Sequence, residues 1–235
     1  MLLSYSVSIQ LEILYADEYM IAINKPNGMA VHQSRMHPAD EIFALQTLRD
    51  QIGQRVYPAH RLDKKTSGVL LFGLSKEMDS SLQTLFGAQE VKKTYHAIVR
   101  GYLADEKGQI DYALTNDRGH RQEAITDYRV LKQFEIPHAI GKHTTSRYSL
   151  LELKPHTGRF HQLRKHLAHI HHPIIGDRPH GCNKQNRYWK HEFEHDAMLL
   201  HAKTLNFTHP VIKKTIEITA PYSEAFERGL AILKL

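Results

Sequence analysis

His60-Arg61-Leu62-Asp63-Lys64-Lys65-Thr66-Ser67-Gly68 leads without a break into Val69-Leu70-Leu71-Phe72-Gly73-Leu74. The second stretch is a continuous apolar run of strand length, bounded by Gly68 and Ser75, and a buried central strand fits it best. Polar residues and a glycine thus deliver the chain into the core. Asp63 is expected on a loop anchored by rigid structure, a common address for chemistry. Taken alone, an Asp between Arg61 and Lys64 reads first as a turn residue or a surface ion pair.

Outward from this strand the pattern is mixed. Ile9–Leu14 and Met20–Asn24 read as strands around an Asp17-Glu18 turn, and Lys25-Pro26-Asn27-Gly28 breaks the chain. Tyr95–Val99, Thr126–Leu131, Tyr148–Leu153, Leu205–Thr208 and Thr215–Ile218 read as further strands. Phe43–Ile52 has helical spacing, and Met78, Leu82, Leu85 and Phe86 form one helical stripe. The clearest helix is Phe160–Ile170, with Phe160, Leu163, Leu167 and Ile170 on one face and Thr157 as its N-cap. Segments 104–123 and 178–196 are polar and expected to be loop-rich. Many strands with a few scattered helices, not in strict alternation, predict an α+β fold. No repeat divides the chain, so residues 1–235 are expected to form a single domain.

With one cysteine, Cys182, neither a disulfide framework nor a zinc site of several thiolates can be built. Met1–Ser8 lacks the basic start of a secretory leader, and no apolar run approaches the roughly 18–20 residues a membrane helix needs. The expectation is a cytoplasmic protein with no membrane association. Net charge is +6, and its distribution says more than its size. Lys154–Lys190 holds eight Lys/Arg against one acid, Asp177, so the rest of the chain is close to neutral. Such a basic field suits phosphate contacts, although a solvated basic face would look the same.

Two further elements bear side chains that could do chemistry. In Thr157-Gly158-Arg159-Phe160-His161-Gln162-Leu163-Arg164, Arg164 falls about 80° from the centre of the apolar face at 100° per residue. An arginine there either snorkels or meets a carboxylate. In the second case its fixed charge favours the anion that a carboxylate nucleophile must be. In Lys92-Lys93-Thr94-Tyr95-His96-Ala97, Tyr95 is either core packing or a platform for an extruded base.

Taken in order, these elements resemble the RluA-type pseudouridine synthases. The matching motifs are HRLDxxTSG at His60–Gly68, KxYxA at Lys93–Ala97, TGRxHQLRxH at Thr157–His166 and HPIIGD at His172–Asp177. The likeness runs from about Leu11 to Pro221 and includes Asn24–Gly28 and Leu200-His201-Ala202. It implies a large mixed, mostly antiparallel sheet flanked by helices, with a central active-site cleft. It also implies that the C1′–N1 bond of a uridine is cleaved, the uracil turned and the bond remade through C5, with no metal and no cofactor.

Carried onto this chain, the resemblance makes Asp63 the catalytic aspartate, Arg164 its basic partner and Tyr95 the residue that stacks on the base and is implicated in deprotonating C5. Arg61 becomes the side chain that enters the RNA as the base leaves. His60, Lys25, Thr66, Arg159, His161 and Gln162 are expected to join it in holding RNA. Many relatives carry an N-terminal S4 RNA-binding module, and none is expected before the first strand here. Thr47–Gln54, Leu167-Ala168-His169 and Asn186-Arg187 look most like the branch that modifies uridine 65 of tRNA. The alternative substrate is 23S rRNA, another tRNA uridine, or both. A monomer acting on RNA is the expected state.

Two rival readings remain. His191-Glu192-Phe193-Glu194-His195 fits H-E-x-x-H, which as a zinc site needs both imidazoles on one helix. His166, His169, His171 and His172 could suggest a metal cluster, but surface exposure or RNA contact is the expectation. An RNA-binding protein without catalysis would share the charge asymmetry and Tyr95 but would not require Asp63 with Arg164.

Overall fold

The apolar run after Gly68 is a strand, Ser67–Gly73, in which every residue is buried. The computed structural model describes residues 9–33, 42–140 and 143–234; Met1–Ser8, read above as no leader, lies outside them. The described strands are β1 Glu12–Ala16, β2 Met20–Lys25, β3 Tyr57–Pro58, β4 Ser67–Gly73, β5 Lys92–Arg100 and β6 Lys107–Asp111. They continue with β7 Leu114–Thr115, β8 Arg121–Gln122, β9 Ile125–Ile136, β10 Ser146–Pro155, β11 Leu200–Thr208 and β12 Thr215–Thr219. The helices are α1 Ala44–Ile52, α2 Lys76–Gly87, α3 Gln162–His169, α4 Asn183–Glu192 and α5 Glu224–Ile232.

Ten strands make one sheet in the order β1-β2-β4-β11-β5-β10-β9-β6, with β3 on β4 and β12 on β11; β7 and β8 pair separately. Among the described residues, the one parallel ladder between these strands is β4–β11, where Ser67 and Gly68 face His201 and Ala202. The sheet is therefore mixed and mostly antiparallel, as expected. Gly68 makes the parallel entry possible. Its φ is +107°, and a Cβ built there would lie 2.2 Å from the Ala202 carbonyl oxygen. No other residue fits that approach.

Strand residues alternate between the two faces of the sheet. On β4, Leu70 and Phe72 join a cluster with Ala44 and Leu48 of α1, whereas Val69 and Leu71 join Met78 and Leu82 of α2. On β5, Ala97 and Val99 pack with Leu163 and Leu167 of α3, and Ile98 packs with Trp189 of α4 and Phe226 of α5. Helices thus cover both faces. Tyr95 packs against both the α1 cluster and the α3 cluster, so it stands at the seam between them. That seam positions the site.

Capping explains where some helices begin. Ser75 accepts from the Met78 amide at the start of α2, with Glu77 and Asp79 in the favourable first turn, and Ser223 accepts from Phe226 before α5. α1 ends where Gly53 takes the left-handed conformation.

Three expectations are corrected. α3 begins at Gln162, after His161 at φ 56°, and not after Thr157. The Thr157 hydroxyl instead donates to Gln162 Oε1 and accepts from the Ile125 amide. Phe160 accordingly precedes the helix and is 42% exposed, off the apolar face assigned to it. Segment 178–196, expected as loop, contains α4, a helix so polar that only Gln185 and Trp189 are buried. Two buried residues four apart make too narrow a stripe to read. Segment 104–123 likewise carries β6, β7 and β8.

Candidate active site

The loop that carries Asp63 is built before its side chains matter. The Thr66 amide donates to the Asp63 carbonyl (3.0 Å), closing a turn, and the Gly28 amide donates to the Lys64 carbonyl (3.0 Å). Asn27 Nδ2 donates to the Lys65 carbonyl. Lys25, fully buried, donates from Nζ to the carbonyls of Pro26, Met29 and Lys64 at 2.9, 2.8 and 3.2 Å. Burial pushes Lys25 down to about 7, with the Asp63 charge pulling the other way. The Lys25–Gly28 break is thus a brace under the loop, pinning two of its carbonyls, those of Lys64 and Lys65.

Asp63 opens into a cleft of about 610 Å³ at the seam. Nine of the ten predicted residues line it: His60, Arg61, Asp63, Thr66, Tyr95, Arg159, His161, Gln162 and Arg164. Lys25 does not; it acts from below.

Lining a cleft is not the same as facing its contents. Gln162 is buried, with Nε2 donating to the Ile125 carbonyl and Thr126 Oγ1 and Oε1 accepting from Thr157 and the Arg159 amide. It is a strut that holds the start of α3 against β9. His60 accepts the Leu71 amide on Nε2 (3.1 Å) and stacks on Phe86. Burial, helped by the Lys93 charge, pushes it down to about 4, so it is a neutral wall. Arg61 is exposed at the rim, with its guanidinium 5.8 Å from the Phe160 ring centroid. Arg159 donates from Nε to the Glu123 carbonyl.

The centre is a buried arginine between two carboxylates. Arg164 Nη1 donates to Asp63 Oδ2 at 2.8 Å. Its Nε and Nη2 form a fork on Asp177, to Oδ2 at 2.8 Å and Oδ1 at 2.7 Å. Burial works against the guanidinium charge, but the bonds to Asp177 and then Asp63 outweigh it and hold Arg164 above its ordinary value. The side chain of Asp177 is 1% exposed and that of Asp63 is 22% exposed. Asp177 is therefore the anchor, and Asp63 is the carboxylate presented to the cleft. Sequence reasoning placed Asp177 in a motif but gave it no role. The available signal was that it is the one acid in the basic Lys154–Lys190 run. Gly176 before it has φ +79°, and a Cβ there would lie 2.0 Å from the Ala197 carbonyl oxygen.

His161 Nε2 lies 3.6 Å from Asp63 Oδ2, and its Nδ1 is 2.9 Å from Nε2 of His180, a second residue not foreseen. Burial pushes His161 down to about 4, with the Asp63 charge opposing, and also lowers His180. Both are neutral near pH 7, so one ring must donate to the other. Donation from His180 leaves the His161 proton on Nε2, facing the Asp63 anion; the reverse would aim a lone pair at it. Tyr95 is pushed up by burial and then by the Asp63 charge, which keeps its hydroxyl protonated. The cleft thus offers an anion, a phenol and ring faces within a basic rim, and such a site takes a planar, uncharged base on a phosphate backbone.

The H-E-x-x-H stretch does not form a zinc-binding helix. α4 ends at Glu192, and Glu194 sits at φ 50° outside it, so His191 and His195 share no helix. His195 is buried, with Nε2 on the Ala225 carbonyl. His166, expected at the surface or on RNA, is also buried, with Nδ1 on Thr126 Oγ1 and Nε2 on the Tyr112 carbonyl. Its place on the apolar stripe beside Leu163 and Leu167 is why. His169 is exposed and stacks on Tyr112, with centroids 3.6 Å apart.

Comparison with known proteins follows the same outline. Residues 19–169 match the RNA pseudouridylate synthase family. The chain is 47% identical over 229 residues to tRNA pseudouridine synthase C of Vibrio vulnificus, covering 93% of each chain. It is 50% identical over 221 residues to the protein of that name from Pasteurella multocida, covering 89% of this chain and 90% of the other. Among solved structures, Human RNA Pseudouridylate Synthase Domain Containing 4 superposes with a TM-score of 0.74 at 25% identity, covering 95% and 93%. Human RNA Pseudouridylate Synthase Domain Containing 1 gives 0.73 at 25% identity, covering 91% and 84%.

Proposed function

The chain belongs to the RNA pseudouridylate synthase family and is an RNA pseudouridine synthase, and from that premise we propose that it converts uridine 65 of tRNA, using Asp63 as nucleophile on a flipped-out base. The observation that carries the proposal is the Asp63 carboxylate, held at 2.8 Å by an arginine that Asp177 fixes from behind, in one cleft with Tyr95. Two supports favour tRNA: the basic Lys154–Lys190 run and the relatives' names, which are those of tRNA enzymes. The choice of position 65 rests on the branch likeness of Thr47–Gln54, Leu167–His169 and Asn186-Arg187.

The reaction is balanced without a co-reactant. The C1′–N1 bond breaks, the uracil turns and C1′ bonds to C5. The C5 proton then leaves to solvent while N1 gains one. Uracil cannot turn inside a stack, so the nucleotide must be extruded at a cost of a few kcal/mol. Stacking on an aromatic ring returns about 1–3 kcal/mol per base. Tyr95 supplies that ring, and Arg61 at the rim occupies the space the base leaves. Whether Asp63 adds to the base or assists at C1′, it must be an anion, which the Arg164 charge favours. Tyr95 enters as a neutral phenol and can accept the C5 proton only as it passes its own on. The enzyme is expected to act as a monomer in the cytoplasm.

The test uses tRNA transcribed with 5-tritiated uridine. The wild-type protein should release tritium stoichiometrically, with pseudouridine mapping to position 65. Asp63→Asn should bind the tRNA with similar affinity and release none. Wild-type-like release by that variant would remove Asp63 from the chemistry, and pseudouridine at another position would remove the site assignment.

A further inference from the structure

α4 leaves one face uncommitted. Gln185 and Trp189 point into the core, whereas Asn183, Asn186, Arg187 and Lys190 recur at three- and four-residue spacing and share another face. With Gly176, Arg178, His191 and Asp196 they line a groove of about 580 Å³, separate from the Asp63 cleft. Arg178, Arg187 and Lys190 face a single acid there, Asp196. Arg178 meets it at 3.5 Å, with both side chains about 60% exposed, a contact weak enough for a phosphate to replace. Among the described residues, Arg187 and Lys190 have no carboxylate partner. Two lysine or arginine side chains a turn apart, with the Asn183 amide beside them, suit the spaced oxygens of a phosphodiester chain better than a flat or apolar partner.

The groove is also rigidly tied to the catalytic centre. Asn186 Nδ2 donates to the Asp177 carbonyl at 2.7 Å, and Asn186 Oδ1 accepts from the Gly176 amide at 2.9 Å. The same Asp177 forks Arg164, which holds Asp63. A backbone seated in the groove would therefore lie at a set distance from the nucleophile.

We propose that the groove between α4 and the Gly176–Arg178 turn is a second RNA contact, holding phosphates of the substrate at a stretch away from the target uridine. The inference rests on the RNA-modifying reading above and deepens it. It makes Arg187 and Lys190 determinants of which RNA is bound and leaves the chemistry to the Asp63 cleft.

The experiment compares the full-chain wild type with the double variant Arg187→Ala/Lys190→Ala on two RNAs: whole tRNA and a short stem-loop carrying the target uridine. Circular dichroism confirms that both proteins fold. For tRNA, the variant should bind about tenfold more weakly or worse, and the slope of log K against log salt should fall by about 1.5 for two lost phosphate contacts. Single-turnover tritium release at saturating tRNA should stay within twofold of wild type. For the stem-loop, affinity should change little. Unchanged tRNA affinity and salt slope would overturn the proposal, leaving a solvated basic face. Equal losses on both RNAs would overturn it too, because the contact would then belong to the target stretch. Failure of the functional reading itself would show separately, as no tritium release from the wild type on either RNA.

Discussion

Replacing Asp177 by Asn keeps the shape of the Arg164 anchor and removes its charge. Arg164 is buried, with its side chain 7% exposed, and it shares three hydrogen bonds between two carboxylates, two on Asp177 and one on Asp63. In the Asn variant one amide oxygen can still accept, but the amide nitrogen turns a donor toward a guanidinium N–H. Removing one partner of a buried pair outright costs about 3–5 kcal/mol, and a lost hydrogen bond to a charged group costs about 1.5–3 kcal/mol. A destabilisation of about 2–4 kcal/mol is expected for Asp177→Asn. Asp63→Asn should behave oppositely. It leaves the Arg164–Asp177 fork intact and neutral overall, and Asp63 is 22% exposed, so stability should stay within about 1 kcal/mol of wild type while activity is lost. In Asp177→Asn the guanidinium is no longer fixed from behind, so kcat should fall at least about tenfold, which needs only about 1.4 kcal/mol of lost transition-state stabilisation. Urea denaturation reads the stabilities, and tritium release from 5-tritiated tRNA reads the activity. If Asp177→Asn is as stable and as fast as wild type, the anchor reading is wrong. If Asp63→Asn is the more damaging of the two to stability, the division of labour between the carboxylates is wrong.

Two further outcomes follow from the packing and the buried histidines. Gly68→Ala would set a Cβ 2.2 Å from the Ala202 carbonyl at φ +107°, so the β4–β11 ladder must open; a loss of about 3 kcal/mol or more is expected in urea melts, and a variant as stable as wild type would contradict the close approach. His60, His96, His161 and His201 are each pushed down to about 4, in every case first by burial, whereas they titrate near 6.5 when unfolded. Between those values the unfolded chain binds more protons, so stability present above pH 6.5 is lost as the pH falls toward 4, by up to about 1.4 kcal/mol per pH unit for each such proton. The urea midpoint at pH 5 should lie clearly below that at pH 7; equal midpoints would refute it.

The site was legible where chemistry sits in short runs. His60–Gly68 and Thr157–His166 each carry their side chains on one loop or one helix start, and local spacing put Asp63 before a core strand and Arg164 at the edge of a buried stripe. Lys25 was readable as part of an element but not as a brace, because its partners are backbone carbonyls that no side-chain pattern reveals. His166 looked exposed because histidine carries no mark of burial, and its two hydrogen-bond partners, the Thr126 hydroxyl and the Tyr112 carbonyl, decided the matter.

The sequence by itself determined the α+β class and the central strand after Gly68, since both follow from periodicity along the chain, whereas the pairing of Asp63 with Arg164 came only as what the family resemblance implied. Only the tertiary structure decided that Asp177 anchors Arg164, that His180 meets His161 beside Asp63 and that α4 walls a basic groove. Those contacts join residues brought together by the sheet and its covering helices, and their energy depends on burial. Burial is a property of the folded surface, not of any window of the chain.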